Sequence, residues 1–484
     1  MESYFIGIDV GTQGARAVLI NNTGVLSASA AKSFELNTCS REEQSPQVWW
    51  ESVMYCLNVL SAEADAEVWS KVNALAVTST SGTVIPLDKE HKPLHNALMY
   101  SDKRSVLQAE WCTAVAQKNV KEGFKAFNSS SALAKIIWFQ ESYPEKSKAL
   151  MHWTHASDYI TGMLSGVWDI TDYTNALKTG YDLRAEKWPA YLFKELRLRK
   201  EWFPEVVPSG QVIGRIKTSV ARELGLPEGL QVTTGMTDGC ASQIASGAVK
   251  PGDWNTTIGT TMVIKGVTKN EINDSQGRIY NHRHPAGYWM PGGASNTGAD
   301  WITTQFSQQL DRLNQAAASL IPTGLIAYPL RQRGERFPMI APQAAGFEPQ
   351  GLSDAESFTA NLEGVAYLEK YALTMMKHLT GEDINAVYTA GGGSNSQIWL
   401  KIRSSVLNLP IYKMKEVSGA VGAAILAASG TVFTNLETSV QAMTAIDRLV
   451  LPDPVLVAAY QKNYQLFLNR MVAEGYISKE ETYA

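Results

Sequence analysis

At 484 residues, the chain is too long for one ordinary hydrophobic core, so we expect two or three domains. Its formal net charge of −4 and isoelectric point near 6.1 give no reason to expect nucleic acid or an anionic membrane as a partner. The sequence shows neither a run of about 18 apolar residues nor a basic and apolar leader, so we expect a cytoplasmic protein without a membrane anchor.

Cysteine usage bears on the compartment and on metal binding. The cysteines are widely spaced and form no CxxC pattern, which predicts reduced thiols and neither a zinc site nor a disulfide framework. They are Cys39, Cys56, Cys112 and Cys240.

Residues 4–20, YFIGIDVGTQGARAVLI, predict a buried strand, a glycine turn and a returning strand. A hairpin alone needs neither the carboxylate of Asp9 nor the hydroxyl of Thr12. Glycine lets backbone N–H groups approach a phosphate, and a carboxylate beside a phosphate requires a cation between them. We therefore expect Asp9 to face a hydrated Mg²⁺ while residues 11–14 face phosphate oxygens. The alternative is an ordinary hairpin whose polar side chains only hydrogen-bond the turn.

Strand-like and helix-like runs alternate after this hairpin, which predicts an α/β architecture. Residues 72–79, VNALAVTS, are typical of a strand, and a helix is expected to start near Ser45 and Pro46. The polar stretch 245–254 is the best boundary, and it divides the chain into domains 1–247 and 248–484.

Asp238 lies between a predicted strand that ends near Gly235 and a helix of small residues predicted over 241–248. In α/β sheets the carboxyl end of a strand is where chemistry is usually placed. The alternative is that Asp238 only caps the helix.

Residues 254–267, WNTTIGTTMVIKGV, repeat the pattern of strand, Gly-Thr turn and strand. With Gly259 aligned to Gly11, Thr257 stands where Asp9 stood. The repeat predicts two duplicated lobes with a cleft between them, and the asymmetry fits one metal ion with one acidic anchor.

Residues 384–402 predict a strand, a triple-glycine turn and a helix, an arrangement that can bind a nucleotide. Glu416 follows at a distance that also fits a dinucleotide fingerprint, so a Rossmann dehydrogenase is the competing interpretation. That interpretation leaves both Gly-Thr hairpins unexplained. The last segment, 451–472, predicts a closing helix that packs back on the body through Tyr460, Tyr464 and Phe467.

Taken in this order, these segments resemble the FGGY carbohydrate kinases over nearly the full length of the chain. The matching segments are residues 8–19, 235–239, 256–264, 328–338, 389–399 and 419–427. The resemblance implies an actin-like ATPase (ribonuclease H-like) fold of two duplicated domains around a central cleft. It also implies ATP and Mg²⁺ as cofactors and a polyol or ketose as acceptor; we expect a monomer or homodimer.

The resemblance assigns Asp238 as the general base that takes the proton from the sugar hydroxyl. Segments 389–399 and 419–427 are similar to the adenine-side turn and its following helix. The residues it implies for ATP binding are Gly11, Thr12, Gln13, Gly14, Arg16, Gly259, Thr260, Thr261, Gly391, Gly392, Gly393 and Asn395.

The first domain is expected to select the sugar. The turn at Thr80–Thr83 and the segments 129–139 and 175–182 are similar to D-ribulose kinases. Asp102 and Arg104 are instead similar to an element of xylulose kinases. We therefore predict D-ribulose as the substrate, with D-xylulose as the alternative. A non-catalytic sugar sensor and an ATPase of the actin or chaperone type are further alternatives. The predicted sugar-binding residues are Asp9, Ser81, Gly82, Thr83, Asp102, Asn175 and Asp238.

Overall fold

The structure is a computed structural model that describes residues 2–38, 40–120 and 126–483. It contains two compact units. The first unit comprises the described residues up to Ala245, together with His282–Gly287 and Glu416–Thr444. The second comprises Ser246–Asn281, Tyr288–Lys415 and the described residues from Ala445 onward. The first division lies close to the predicted boundary after residue 247, but the sequence did not predict that two later segments belong to the first unit.

Strands and helices alternate along the first half of the chain. The strands are β1 (Tyr4–Val10), β2 (Gly14–Asn21), β3 (Leu26–Ser33), β4 (Glu43–Gln44), β5 (Val72–Ser79), β6 (Val84–Leu87), β7 (Ala97–Leu98), β8 (His152–His155), β9 (Ile170–Asp172), β10 (Glu205–Val207), β11 (Val212–Arg215), β12 (Gln231–Thr233) and β13 (Met236–Thr237). The helices are α1 (Pro46–Glu63), α2 (Ala66–Ser70), α3 (Val106–Asn119), α4 (Ala132–Ser142), α5 (Pro144–Lys148), α6 (Ala156–Ser165), α7 (Tyr173–Ala176), α8 (Ala190–Lys194), α9 (Thr218–Leu224) and α10 (Asp238–Ala245).

The second half of the chain continues the alternation. Its strands are β14 (Asp253–Ile258), β15 (Met262–Gly266), β16 (Tyr280–Arg283), β17 (Trp289–Ala294), β18 (Ala386–Ala390), β19 (Ile411–Met414) and β20 (Ile446–Val450). Its helices are α11 (Asp300–Gln305), α12 (Leu310–Leu320), α13 (Asp354–Thr380), α14 (Gln397–Leu407), α15 (Gly419–Ser429), α16 (Leu436–Met443) and α17 (Pro454–Ala473).

The main sheet of the first unit has the strand order β11-β12-β5-β1-β2-β3, and β13 also pairs with β5. β1 is antiparallel to β2 and parallel to β5, so the hairpin predicted over residues 4–20 is confirmed. β3 runs antiparallel to β2, and β12 runs parallel to β5. Two smaller sheets, β10-β9 and β4-β7-β6-β8, accompany it.

The sheet of the second unit has the order β16-β17-β15-β14-β18-β19-β20. β14 is antiparallel to β15 and parallel to β18, β17 is antiparallel to β15, and β19 is parallel to β18. β14, β18 and β19 thus take the places of β1, β5 and β12. The outer antiparallel strand recurs as well, as β11 beside β12 and β20 beside β19. The predicted duplicated α/β architecture is confirmed.

Each unit has its own apolar core. In the first, Ile8 of β1 and Leu57 of α1 are fully buried in one cluster. In the second, the long helix α13 and the last helix α17 contribute to one cluster that includes Tyr460, Tyr464 and Phe467. The predicted packing role of these three aromatic residues is confirmed, since all are buried.

Three of the cysteines, Cys56, Cys112 and Cys240, are buried thiols, while Cys39 lies outside the described residues. Nowhere in the described chain is a helix both long and apolar enough to cross a membrane.

Candidate active site

Asp9 lies near the end of β1, opposite Arg16 on β2 and beside Thr78 on the parallel strand β5. Its Oδ1 atom is buried and has no hydrogen-bond partner. Burial, followed by the negative charge of Asp238, raises the pKa of Asp9 to about 7, and the positive charge of Arg16 opposes this shift. A buried carboxylate oxygen without a donor is costly, so this position favours a cation or a proton.

The turn after Asp9 is held by its own backbone. The Gly11 N–H donates to the Gly14 carbonyl at 3.0 Å, and the Gln44 side chain donates to the Thr12 carbonyl at 2.9 Å. A Cβ atom at Gly14 would lie 2.5 Å from the Lys32 carbonyl oxygen, so a larger residue would displace β3. These hydrogen bonds hold the turn in one conformation, and the packing against β3 requires glycine at position 14.

Two side chains predicted to bind ATP on this hairpin, those of Gln13 and Arg16, are exposed. The Gln13 carbonyl accepts the Phe34 N–H at 2.9 Å, and the charge of Arg16 opposes the rise in the pKa of Asp9.

Asp238 is the first residue of α10 and is half-buried. The helix begins directly after β13, which pairs with the last residues of β5, so Asp238 lies at the carboxyl edge of the sheet. Its Oδ1 atom accepts a hydrogen bond from the N–H of Gly239 at 2.6 Å. The predicted helix over 241–248 is corrected to Asp238–Ala245, because the helix starts at the carboxylate itself.

The backbone next to Asp238 is anchored by a buried carboxylate that the sequence did not reveal. The Thr237 N–H donates to Thr174 Oγ1 at 2.8 Å, and that hydroxyl donates to Asp172 Oδ1 at 2.6 Å. Asp172 also accepts from Asn175 Nδ2 at 2.5 Å, which fixes the orientation of that amide. The Oδ1 atom of Asn175 is buried without a partner.

The turn at Thr80–Thr83 follows β5 and therefore begins at the same edge of the sheet as Asp238. The hydroxyls of Thr80 and Thr83 lie 2.8 Å apart, and Thr83 Oγ1 accepts the Tyr100 N–H at 3.2 Å. Gly82 has a φ of +81°, a backbone angle that residues with a side chain rarely adopt. Ser81 Oγ is buried and has no partner, so this hydroxyl is available to a ligand.

Two lysines support this turn, and neither was among the predicted site residues. Lys135 is fully buried and its Nζ lies 3.3 Å from the Gly82 carbonyl, while Lys178 Nζ lies 3.4 Å from the Ser81 carbonyl. Burial lowers the pKa of Lys135 to about 7; the charge of Lys178 adds to this shift, and that of Asp102 opposes it.

Asp102 has an ion-pair partner that the sequence pattern did not predict. Its two carboxylate oxygens accept from the Arg104 guanidinium at 3.0 and 2.9 Å, and the side chain is 1% exposed. Arg104 also contacts Glu43 at 2.8 Å and stacks over the Trp138 ring. Both oxygens of Asp102 are thus engaged within the protein.

In the second unit, the Gly259 N–H donates to the Thr261 carbonyl at 3.0 Å and closes the second Gly-Thr turn. The Gly259 carbonyl accepts from the Ala299 N–H at 2.8 Å. A Cβ atom at Gly298 would lie 2.4 Å from the Thr260 carbonyl oxygen, so residues 298–299 lie directly on the turn. Sequence reasoning missed this support, because Gly298 is far from the turn along the chain.

The triple-glycine turn joins β18 to α14 through a short 3₁₀ segment, Gly392–Asn395. Gly391 has a φ of +80°, and a Cβ atom there would lie 2.4 Å from the Ile258 carbonyl oxygen. Gly391, Gly392 and Asn395 are exposed, and Asn395 Oδ1 accepts from Lys413 Nζ at 3.2 Å. The predicted strand, turn and helix are confirmed.

Helix α15 belongs to the first unit, although it follows the glycine turn after β18 in the chain. A Cβ atom at Gly7 of β1 would lie 1.8 Å from the Ala420 carbonyl oxygen, so helix and strand pack without side chains between them. A Cβ atom at Gly419 would lie 3.0 Å from Asp9 Oδ2. The start of α15 therefore forms one wall around Asp9.

The residues present fit a hydrated Mg²⁺. Asp9 Oδ1 is an orphaned buried oxygen, and the charge of Asp238 acts on the same carboxylate. Across the described residues, the structure contains no group of three or more His, Cys, Asp or Glu side chains that could hold a metal ion. Mg²⁺ commonly keeps several waters and uses one or two carboxylates plus substrate phosphates. Such an ion would be held by Asp9, with Asp238 near it.

Comparisons with known proteins agree with the topology. The N-terminal domain model of the FGGY family of carbohydrate kinases matches residues 4–245, and its C-terminal domain model matches residues 254–431. A xylulose kinase of Bacillus subtilis is 24% identical over 96% of this chain and 96% of its own length. A gluconokinase of the same species is 24% identical over 88% of this chain and 87% of its own length. The structure of a ligand-bound xylulose kinase from Lactobacillus acidophilus superimposes with a TM-score of 0.83 at 24% identity over 100% of both chains.

Proposed function

The chain belongs to the FGGY family of carbohydrate kinases and has the actin-like ATPase fold, and on this basis we propose that it phosphorylates a ketopentose with ATP. We propose D-ribulose as the preferred substrate and D-xylulose as the second candidate. Membership of this family means that the chain is an ATP-dependent sugar kinase. The choice of sugar and the roles of individual residues are our proposal.

The observation that carries the proposal is a set of buried polar atoms without partners, at the sheet edge that also bears the half-buried carboxylate of Asp238. Asp9 Oδ1, Ser81 Oγ and Asn175 Oδ1 are all buried and unpartnered. The parallel pairing of β1, β5 and β13 and the contact of Thr174 with β13 support a common position at the edge that bears Asp238. A polyhydroxylated ligand would supply the donors and acceptors that these atoms lack.

Asp238 is the proposed general base. Its carboxylate would accept the proton of the attacking sugar hydroxyl as that oxygen bonds to the γ-phosphorus and the bond to ADP breaks. Positioned bases of this kind contribute about 10²–10⁴-fold to the rate. The start of α10 at Asp238 and the anchoring of Thr237 by Thr174 support this role, because both restrict where the carboxylate lies.

The glycine turns of both units are proposed to bind ATP. In the first unit the proposed ligands are backbone N–H groups of Gly11–Gly14, with Thr12, Gln13 and Arg16. In the second, Gly259–Thr261 would bind phosphate, and Gly391–Gly393 with Asn395 would bind the adenosine portion. When bound, Mg²⁺ neutralises the charge of the phosphates. Asp9 would orient that ion through water.

The proposal of a ketopentose rests on the Thr80–Thr83 turn. Its composition favours D-ribulose, whereas the Asp102 and Arg104 pair and the xylulose kinase relatives favour D-xylulose. Because Arg104 engages both oxygens of Asp102, we assign Asp102 an indirect role that supports the site through Arg104 and Lys135.

The test is sugar-stimulated ADP release across D-ribulose, D-xylulose, other ketoses, polyols and gluconate, with ATP and Mg²⁺. We expect the highest kcat/KM for D-ribulose, followed by D-xylulose. Stimulation only by gluconate or by a polyol would overturn the ketopentose proposal, and ADP release that no sugar stimulates would overturn the mechanism.

For the sugar turn, Ser81→Ala should raise the apparent KM for the sugar by about 5–20-fold, since one hydrogen bond to the ligand is removed. The KM for ATP should change less than twofold. Steady-state kinetics with each substrate varied in turn would check this, and an equal rise in both constants would contradict a specific sugar contact.

A further inference from the structure

Glu335 lies in the segment 328–338, YPLRQRGERFP. This segment resembles the FGGY family, but the resemblance assigned no role to its residues. The side chain is 3% exposed. It receives hydrogen bonds from three separate stretches of the second unit, which is unusual for a glutamate in a loop. The donors are Ser295 Oγ at 2.8 Å, the Asn296 N–H at 2.7 Å, Thr297 Oγ1 at 3.0 Å, Tyr328 OH at 3.0 Å and the Arg336 N–H at 3.0 Å.

These donors are divided between the two carboxylate oxygens. Oε2 accepts all three hydroxyls, those of Ser295, Thr297 and Tyr328, while Oε1 accepts the two backbone N–H groups. A carboxylate, with about four lone-pair sites on its two oxygens, can accept from both groups of donors, and no neutral side chain of the same size can. The chemistry of this site therefore requires the acid and not only its volume.

The segment that Glu335 holds continues directly onto the second Gly-Thr turn. The Ser295 N–H donates to the Met262 carbonyl, and the Met262 N–H donates to the Thr297 carbonyl, both at 2.9 Å. Two residues later, the Ala299 N–H donates to the Gly259 carbonyl at 2.8 Å. At Gly298 the segment approaches the Thr260 carbonyl so closely that there is no space for a Cβ atom.

We propose that Glu335 is a positioning residue for ATP phosphate binding, acting through residues 295–299 on the turn Gly259–Thr261. This rests on the proposed function, because it takes that turn as a phosphate-binding element. A displacement of the turn by a fraction of an ångström would misalign its N–H groups, and alignment is what phosphoryl transfer depends on.

The test compares Glu335→Gln with Glu363→Gln in the full-length protein. Glu363 is a matched control, since it is a fully buried glutamate of the same unit that also accepts from a tyrosine and a threonine. Its bonds lead to Tyr460 and Thr323, not to the turn. In Glu335→Gln an amide NH₂ faces either two N–H donors or three hydroxyls, so at least one donor loses its acceptor.

We expect Glu335→Gln to raise the KM for ATP about tenfold, with the KM for the sugar changed less than twofold. Glu363→Gln should leave both constants within twofold of wild type. Gly298→Ala, which crowds Thr260 directly, should reproduce the rise in the KM for ATP. A purely structural role would lower the melting temperature of Glu335→Gln while leaving the KM for ATP unchanged, and that result would overturn the inference.

Calorimetric binding of ADP separates this inference from the proposed function. If the wild-type protein binds ADP with Mg²⁺ but no sugar stimulates turnover, the proposed function fails and the inference is still tested, because Glu335→Gln should weaken ADP binding about tenfold. Equal ADP affinity for wild type and Glu335→Gln would overturn the inference. Absence of ADP binding by the wild type would overturn both.

Discussion

β1 and β14 hold the same place in two sheets of the same strand order, yet the next-to-last residue is Asp9 in one and Thr257 in the other. Asp9 keeps a buried oxygen without a donor. Thr257 instead donates its hydroxyl to Asn255 Oδ1 at 3.1 Å within its own strand. The same strand position thus carries a carboxylate oxygen without a donor in one sheet and a hydrogen-bonded hydroxyl in the other.

A second difference lies in the turns that follow β5 and β18, which are the parallel neighbours of β1 and β14. After β5 the chain forms the hydroxyl-bearing turn Thr80–Thr83, and after β18 it forms the bare glycine turn 391–393. Hydroxyls can select among sugar stereoisomers, while glycines let a ligand approach the backbone. The two sheets thus offer equivalent edges with different side chains, which fits the proposed division between sugar binding and nucleotide binding.

The largest effect is expected at Asp238, the carboxylate that the first sheet adds through β13 and α10. Asp238→Ala should lower kcat at least about 100-fold, because the sugar hydroxyl loses its base. The Kd for ATP should change less than threefold. Turnover close to wild type would show that proton removal at Asp238 is not part of the reaction.

The comparison of the strand ends is tested by Asp9→Asn and Thr257→Val measured side by side. Asp9→Asn should lower kcat/KM about 10–100-fold at fixed Mg²⁺, whereas Thr257→Val should change it less than threefold. In chelator at pH 8, Asp9→Asn should also raise the melting temperature by about 2–5 °C, since the neutral amide removes a buried charge near Asp238. Equal kinetic losses in both variants would remove the functional asymmetry.

The glycine turn after β18 can be tested by comparing two alanine substitutions, Gly391→Ala and Gly392→Ala. Gly391→Ala should raise the KM for ATP about tenfold, because its Cβ atom would lie 2.4 Å from the Ile258 carbonyl oxygen at a φ of +80°. Gly392→Ala should raise this KM less, by up to about threefold, since no protein atom lies within 4 Å of its Cβ position and the added methyl could affect only the bound nucleotide. Substrate-dependence curves for ATP would distinguish the two, and a similar response of both would argue against a specific backbone conformation at Gly391.

Part of this organisation could be predicted from local sequence, and part could not. The two hairpins and the glycine turn are encoded by adjacent apolar, glycine and threonine residues, so their existence was predictable. Whether α15 packs in the first or second unit depends on contacts such as that between Gly7 and Ala420, more than 400 residues apart in the chain. Local sequence patterns cannot predict a contact between residues so far apart in the chain.

The candidate site shows the same limit. Asp238 stood out because a carboxylate at a strand end is a local signal. Lys135, Asp172 and Glu335 each have a hydrogen-bond partner that is distant in sequence, so no spacing rule pointed to them. These partners are the Gly82 carbonyl, the Ser209 hydroxyl and the Ser295 hydroxyl. Supporting residues of this kind become visible only when the hydrogen-bond partners are known.

The last prediction concerns stability and compares the buried carboxylate of Glu363, which has hydrogen-bond donors, with that of Asp9, whose Oδ1 has none. Burial raises the pKa of Glu363 to about 7, although donors from Thr323 and Tyr460 oppose the shift. Because the folded pKa lies above the unfolded value, the folded state holds the proton more tightly, and stability is lost as pH rises from about 4.5 through 7. The loss is at most about 3 kcal/mol. Glu363→Gln should remove this part of the pH dependence, since Thr323 Oγ1 can accept from the amide.

Denaturant unfolding of the wild type and Glu363→Gln between pH 5 and 8 would measure this. An unchanged pH slope in the variant would show that Glu363 does not titrate in that range.

The most direct test of the account is the fate of the γ-phosphate in a single turnover with labelled ATP, Mg²⁺ and D-ribulose or D-xylulose. We predict that the label appears in the sugar phosphate at the rate of ADP formation, with little in inorganic phosphate. Label released as inorganic phosphate regardless of sugar, or retained in ATP with every ketopentose, would contradict the assignment of this site as a ketopentose kinase.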